Sequence, residues 1–312
     1  MLLDAQNRVR LHGVDTRHDY FQLENIDYQA LPLDSSDEQK GVGINSSVFR
    51  AAPAEDDGGS ALIVKVCRFA DAHPSEKAEA RRKRFQREID ALHLSLEKGK
   101  QNLVVNIIKE GQVRVSSKWG NQSHQCFLME LASTDLRQFL TAQPDITFQQ
   151  RLVLCADLVR SVRALHDIGV YHRDIKPENI LLCNGGWKIG DLGLVAFRGE
   201  DLTAESREKI GPPSWMSPEA FNNAYCVQRP TNTFIDCTFD ERSDVYQLGK
   251  ICWYVIQGDI PNGCLKSADL VEGDANLFGG VLKPMLLYQR TERPLLAEVE
   301  NRLTPFIRMH SI

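Results

Sequence analysis

The run His172-Arg173-Asp174-Ile175-Lys176-Pro177-Glu178-Asn179 constrains this chain more than any other stretch. It puts a carboxylate, an ammonium and a carboxamide on one short loop. Phosphoryl transfer asks for that set: Asp174 to accept the proton of an attacking hydroxyl, Lys176 to neutralise charge on the transferred group, and Asn179 to hold a magnesium ion.

Asp191-Leu192-Gly193 follows twelve residues after Asn179. The apolar runs Ile180-Leu181-Leu182 and Trp187-Lys188-Ile189 between them predict two small strands joined at Asn184-Gly185-Gly186. An isolated Asp-Leu-Gly reads as an ordinary turn, but here it follows the catalytic-type loop at a fixed spacing. Together the two segments resemble the catalytic loop and metal-binding segment of eukaryotic-type protein kinases, with Leu192 for the usual Phe. The resemblance makes Asp191 a second magnesium ligand beside Asn179.

Upstream, Gly41-Val42-Gly43-Ile44-Asn45-Ser46-Ser47-Val48 resembles the family's phosphate-covering loop, whose glycines let backbone N–H groups approach phosphate. Leu62-Ile63-Val64-Lys65 reads as a strand ending in the lysine that contacts the α- and β-phosphates. Glu76 to Lys98 has a helical pattern with Phe85, Ile89, Leu92 and Leu96 as its apolar stripe. Glu88 borders that stripe. A solvated helix face is one reading of it, as for the basic run Arg81-Arg82-Lys83-Arg84, but its position favours an ion pair with Lys65. Phe127-Leu128-Met129-Glu130-Leu131-Ala132 resembles the strand and hinge between the lobes. The match makes Met129 the gatekeeper, gives adenine the carbonyl of Glu130 and the N–H of Ala132, and adds Gly41, Gly43, Ser46, Val48, Ile63 and Leu181 to the nucleotide contacts.

Downstream, Ser217-Pro218-Glu219, Asp244 and Arg293 match three further family positions. Glu219 and Arg293 are expected to form a buried pair, since either charge is costly to bury alone. Thr147 to Ile168 predicts an amphipathic helix with Phe148, Leu152, Cys155, Val159, Val162 and Leu165 on its core face. The implied architecture is α+β and bilobal, with a small β-rich N-lobe carrying one main helix and a larger, mainly helical C-lobe. Its expected bounds are 28–129 for the N-lobe, 130–132 for the hinge and 133–312 for the C-lobe, after a polar extension of uncertain order over 1–27.

A chain of 312 residues can bury a large core, and a net charge of −5 argues against nucleic acid as the main partner. No stretch approaches the eighteen apolar residues of a membrane span, and residues 1–14 hold no apolar signal-peptide core. Eight cysteines without a C-x-x-C pair suit reduced thiols in a cytoplasmic setting. Cys226 and Cys237 flank an insertion of about a dozen residues over 227–237, and a bond between them is the less favoured reading.

Lys176 beside the catalytic-type Asp resembles Ser/Thr kinases, so the resemblance implies transfer from ATP, with Mg2+ or alternatively Mn2+, to a Ser/Thr hydroxyl of a protein substrate, with autophosphorylation. Ser46 for a third glycine, Lys40 and Ile63 near adenine, and Gly211-Pro212-Pro213 for the usual Gly-Thr depart from the pattern. These departures keep open a pseudokinase or nucleotide-binding scaffold, and a small-molecule kinase is a third reading. Arg173 calls for an anion on the segment from Asp191 to Glu219. Glu208 is the candidate there, with Ser206 and Thr203 as autophosphorylation sites, against the reading that Arg207-Glu208-Lys209 is a solvated charge run. Oligomeric state is open.

Overall fold

A computed structural model describes residues 1–4, 8–12, 19–33, 41, 45–54, 62–118, 120–200, 213–228, 235–263, 265–271 and 275–309. Contacts divide the chain into two units, Met1–Leu96 with Val105–Leu131, and Glu97–Val104 with Ala132–Ile312.

The first unit is built on an eight-stranded sheet: β1 (Leu2–Leu3), β2 (Val9–Arg10), β3 (Tyr20–Leu23), β4 (Ile26–Leu31), β5 (Ser46–Pro53), β6 (Leu62–Cys67), β7 (Ile107–Ser117) and β8 (Gly120–Glu130), in the order β2-β1-β7-β8-β6-β5-β4-β3. Helix α1 (Glu76–Glu97) lies between β6 and β7 in sequence. The register sets Val48 opposite Lys65, Lys65 opposite Phe127, and Ile63 opposite Met129. Because side chains alternate along a strand, these five residues share one face. Their neighbours Phe49, Val64, Val66, Cys126 and Leu128 point the other way and form a core with Met1, Val9, Phe21, Leu23 and Tyr28. Burying each large apolar side chain in that core stabilises by about 1.5–3 kcal/mol.

That core corrects the expectation of an extension over 1–27. The described part of those residues supplies three strands, with Leu2 paired in parallel to Ser116 and β3 hydrogen-bonded along β4. The expected lobe start at residue 28 therefore falls inside β4. Gly111 records how closely β3 approaches β7: a Cβ there would sit 2.6 Å from the Leu23 side chain. Of the expected stripe on α1, Phe85, Ile89 and Leu92 are buried, whereas Leu96, near the helix end, is exposed.

In the second unit, β9 (Thr134–Asp135) pairs with β11 (Ile180–Cys183), which also pairs with β12 (Gly186–Ile189), while β10 (Val170–Tyr171) pairs with β13 (Ala196–Phe197). Its helices include α2 (Leu136–Ala142), α3 (Phe148–Asp167), α4 (Pro218–Gln228) and α5 (Glu241–Gln257). Thr147 caps α3 through a reciprocal bond set with Gln150, and Leu152, Cys155, Val159, Val162 and Leu165 are buried along it, with Phe148 half-buried. Helix α5 starts at the capping side chain of Asp240 and stops at Gly258, whose φ of 85° suits a residue without Cβ. Twelve of its residues are buried, so it passes through the middle of the unit's packing.

Candidate active site

In the first unit, β6 and α1 bring Lys65 and Glu88 together: Nζ donates to Oε1 at 2.7 Å with both side chains buried. Ile63 is buried, and Val48 and Met129 are half-buried, on the face Lys65 occupies. Gly41 has a φ of 86°, and its carbonyl accepts from Val48 N–H at 2.8 Å; a Cβ there would run into the Val48 carbonyl. A glycine is required at that turn. Ser46 is half-buried at the start of β5, whereas Lys40 and Gly43 lie outside the described residues. At the far end of β8, Glu130 is fixed by its carboxylate accepting from Asn106 N–H at 2.7 Å. Ala132 is half-buried two residues on, at the start of the second unit's main segment.

In the second unit the loop after β10 is tied to α5. Asp244 accepts three hydrogen bonds, from His172 N–H at 2.7 Å, Arg173 N–H at 2.8 Å and His166 Nε2 at 2.9 Å. Burial alone would push this carboxyl up, but the hydrogen bond and charge of His166, with the smaller effects of His172 and the Arg173 N–H, outweigh it and hold it below its ordinary value. Gln247, one turn along α5, donates to the Arg173 carbonyl at 3.2 Å and accepts from Ile175 N–H at 3.1 Å. Arg173 adopts a φ of 68°, a left-handed conformation that costs a non-glycine residue about 1–3 kcal/mol. The four-point grip by α5 holds it there. Its guanidinium lies over the Phe239 ring at 5.0 Å.

The consequence of that geometry is the placement of Asp174. Its N–H donates to His172 Nδ1 at 3.2 Å, so His172 carries its proton on Nε2 and donates to the Gly190 carbonyl at 3.0 Å. Asp174 Oδ2 accepts from Lys176 Nζ at 2.6 Å and from Asn179 Nδ2 at 3.3 Å. Oδ1 is buried with no hydrogen-bond partner among the described residues. Burial pushes the Asp174 carboxyl above its ordinary value of 3.8; Lys176 pulls it part of the way back, and the charge of Asp191 pushes it up again. A buried carboxylate with one oxygen committed and one open is arranged to receive a proton.

Asn179 and Asp191 are brought near through the β11–β12 hairpin. Ile180 faces Ile189, Asn184 and Gly185 make the turn with φ of 51° and 78°, and Gly190 N–H donates to the Asn179 carbonyl at 2.9 Å. Asn179 uses Nδ2 for Asp174, which leaves Oδ1 for another partner. Asp191 is exposed, with a φ of 54°. An amide oxygen and a carboxylate are hard donors of the kind magnesium takes, completed by water and phosphate oxygens. Leu181 is half-buried on β11, opposite Lys188 and Asp135.

Glu219 and Arg293 form a bidentate buried pair at 2.8 and 2.9 Å, with the guanidinium also donating to the carbonyls of Leu287, Arg242 and Tyr288. Cys226 and Cys237 are free thiols in contact at 3.9 Å. Thr203, Ser206 and Glu208 lie outside the described residues, as does the middle of the insertion. Sequence reasoning passed over Gln247 and Phe239. Gln247 stands three residues after Asp244, on the same helix face, and that spacing was the available signal.

Residues 35–308 match the family described as the protein kinase domain. The chain is 25% identical over 264 residues to the serine/threonine-protein kinase cds1 of Schizosaccharomyces pombe, covering 84% of this chain and 51% of that protein. It is 22% identical to the mouse dual specificity protein kinase TTK, covering 73% and 26%, and 26% identical to the Caenorhabditis elegans serine/threonine-protein kinase WNK, covering 79% and 12%. The chain thus spans about half the length of the first of these relatives and less of the others. With the match running through nearly the whole sequence, the chain belongs to the protein kinase domain family.

Proposed function

We propose that this chain is a protein serine/threonine kinase that transfers the γ-phosphoryl group of ATP to a hydroxyl of a protein substrate. The observation that carries the reading is Asp174, a buried carboxylate whose Oδ2 is held by Lys176 and Asn179 while Oδ1 stays open. That oxygen accepts the hydroxyl proton as the nucleophile attacks phosphorus. Lys176, already beside Asp174, neutralises charge on the transferred group. Lys65, oriented by Glu88, binds the α- and β-phosphates. Magnesium, or manganese in its place, supplies charge screening of the phosphates when bound by Asn179 and Asp191. Gly41, Gly43, Ser46 and Val48 cover the phosphates. The adenine contacts are proposed for each unit by itself: Ile63, Met129 and the backbone of Glu130 in the first, Leu181 and the backbone of Ala132 in the second.

The serine/threonine class rests on Lys176 and on the printed names of the relatives cds1 and WNK. Burial pushes the Cys67 thiol up to about 11 and the Cys126 thiol up to about 12, so both stay protonated, in keeping with the reduced thiols of a cytoplasmic setting. Among the described residues no helix is long and apolar enough to cross a membrane. Glu208 remains our candidate anion for Arg173, with Ser206 and Thr203 as autophosphorylation sites. Incubation with labelled ATP, magnesium and a generic protein, followed by phosphoamino-acid analysis, tests the reading. Phosphoserine or phosphothreonine is expected, and nucleotide binding without any transfer would favour a pseudokinase.

A further inference from the structure

Helix α5 carries a single lysine, in an environment unlike that of Lys65. Lys250 is only 8% exposed, yet among the described residues it has no ion-pair or hydrogen-bond partner. Holding an ammonium in a partly buried place without a counter-charge is costly, and burial alone pulls its pKa below the ordinary lysine value. The residue next to it, Gly249, packs so closely that a Cβ would sit 2.9 Å from the Met285 side chain, which fixes α5 at this point.

Lys250 lines a cavity of about 580 Å³ within the second unit. Its walls are apolar and aromatic, including Met216, Phe278 and Leu287, and its rim carries Phe221 and Tyr288. Those two rings are 59% and 69% exposed and line the same cavity, which gathers apolar surface that a partner can cover. Phe278 opens a π-helical turn, Phe278–Leu282, an irregularity that tends to occur where a helix serves a site. Pro213, Met216, Ser217 and Pro218, at the end of the segment that runs from Asp191, supply another wall.

We propose that this cavity is a docking site for an acidic peptide segment of the protein substrate, with one Asp or Glu carboxylate at Lys250 and a neighbouring apolar side chain against Phe221 and Tyr288. The assignment rests on the protein-kinase reading for the identity of the partner, but the pocket's chemistry stands on its own. Lys250 is the buried cation of the lining and Lys283 an exposed one, so a single carboxylate meets Lys250 inside while a phosphate dianion would bring more negative charge into a largely apolar cavity than the buried cation matches. The exposed rim rings fit a chain lying across the opening, whereas a small molecule enclosed in the cavity would leave them in water.

The test uses the full chain without nucleotide, so that it does not depend on catalysis. Fluorescein-labelled pools of twelve-residue peptides, degenerate except for a central Glu-Phe, Gln-Phe or Glu-Ala pair, are titrated by fluorescence polarisation. The Glu-Phe pool is expected to bind on the order of 10-fold more tightly than the Gln-Phe pool, as for an unpaired buried charge gaining its partner. In Lys250→Met that ratio should fall to about 1, and Phe221→Ser, a change at an exposed position, should lower the advantage of Glu-Phe over Glu-Ala. Lys250→Met removes a buried charge, so the variant is expected to fold; its thermal transition and its binding of the Glu-Ala pool report that directly. Equal binding of the Glu-Phe and Gln-Phe pools, or an undiminished ratio in Lys250→Met, overturns the proposal. Loss of all phosphoryl transfer with the Glu preference intact would instead count against the kinase activity and leave an acidic-peptide site.

Discussion

Lys65 Nζ lies 2.7 Å from Glu88 Oε1, with both side chains more than nine-tenths buried, so neither charge has water to fall back on. Glu88→Ala takes the carboxylate away from a buried ammonium and is expected to cost about 3–5 kcal/mol in chemical denaturation. Lys65→Met with Glu88→Leu removes both charges and should recover most of that stability. Phosphoryl transfer should stay lost in the double variant, because a neutral pair gives no cation for phosphate. Recovery of activity along with stability would show the pair to be structural only.

Asp174 must be ionised to act as base, and its carboxyl is pushed above 3.8 by burial. The acid limb of kcat should therefore lie above pH 3.8. Lys176→Met removes the charge that pulls Asp174 back down, so the limb should move to higher pH still, and a pH–rate profile of both forms checks it. The stability sign is opposite to that of a salt-bridged Asp. Between 3.8 and the raised value the folded chain holds this proton more tightly than the unfolded chain, so this group makes stability fall as pH rises through the window.

Gln247 touches no reacting group and braces the loop on both sides of Asp174, at the Arg173 carbonyl and the Ile175 N–H. Gln247→Leu should lower kcat by about 10- to 100-fold through misplacement of Asp174, with the KM for ATP nearly unchanged. Gln247→Glu, which keeps the acceptor oxygen for Ile175 N–H, should recover part of it. Equal loss in both variants, accompanied by a lowered melting temperature, would mark a folding role alone.

The loop over 172–179, the hairpin leading to Asp191 and the Lys65–Glu88 pair were legible because each rests on a short run whose residue types set its local geometry. Residues 1–27 were not. Leu2–Leu3 and Val9–Arg10 are two-residue strands, too short to show alternation, and they exist because β2 pairs with β1 and β1 with β7, more than a hundred residues away. Leu96 misled for the converse reason: helical spacing assigned it to the stripe, but its turn lies at the end of α1, where it is exposed. Lys250 gave no signal at all, since burial of a lone lysine is a property of packing.

The N-terminal strands can be tested apart from catalysis. Leu23 is buried in the core on the sheet face opposite Lys65 and packs over Gly111. Leu23→Ala should destabilise by about 2–5 kcal/mol in urea denaturation, with the metal dependence of any residual activity unchanged. A change below roughly 0.5 kcal/mol, the range of surface substitutions, would show the strands to be peripheral.

The most direct measurement compares the chain with Asp174→Asn for transfer of labelled phosphate from magnesium-ATP to itself and to a generic protein, with nucleotide affinity measured in parallel. Loss of transfer by about 10²–10⁴-fold at nearly unchanged nucleotide affinity is the expected result. Undiminished transfer by the Asn variant would contradict Asp174 as the base, and with it the account of the site.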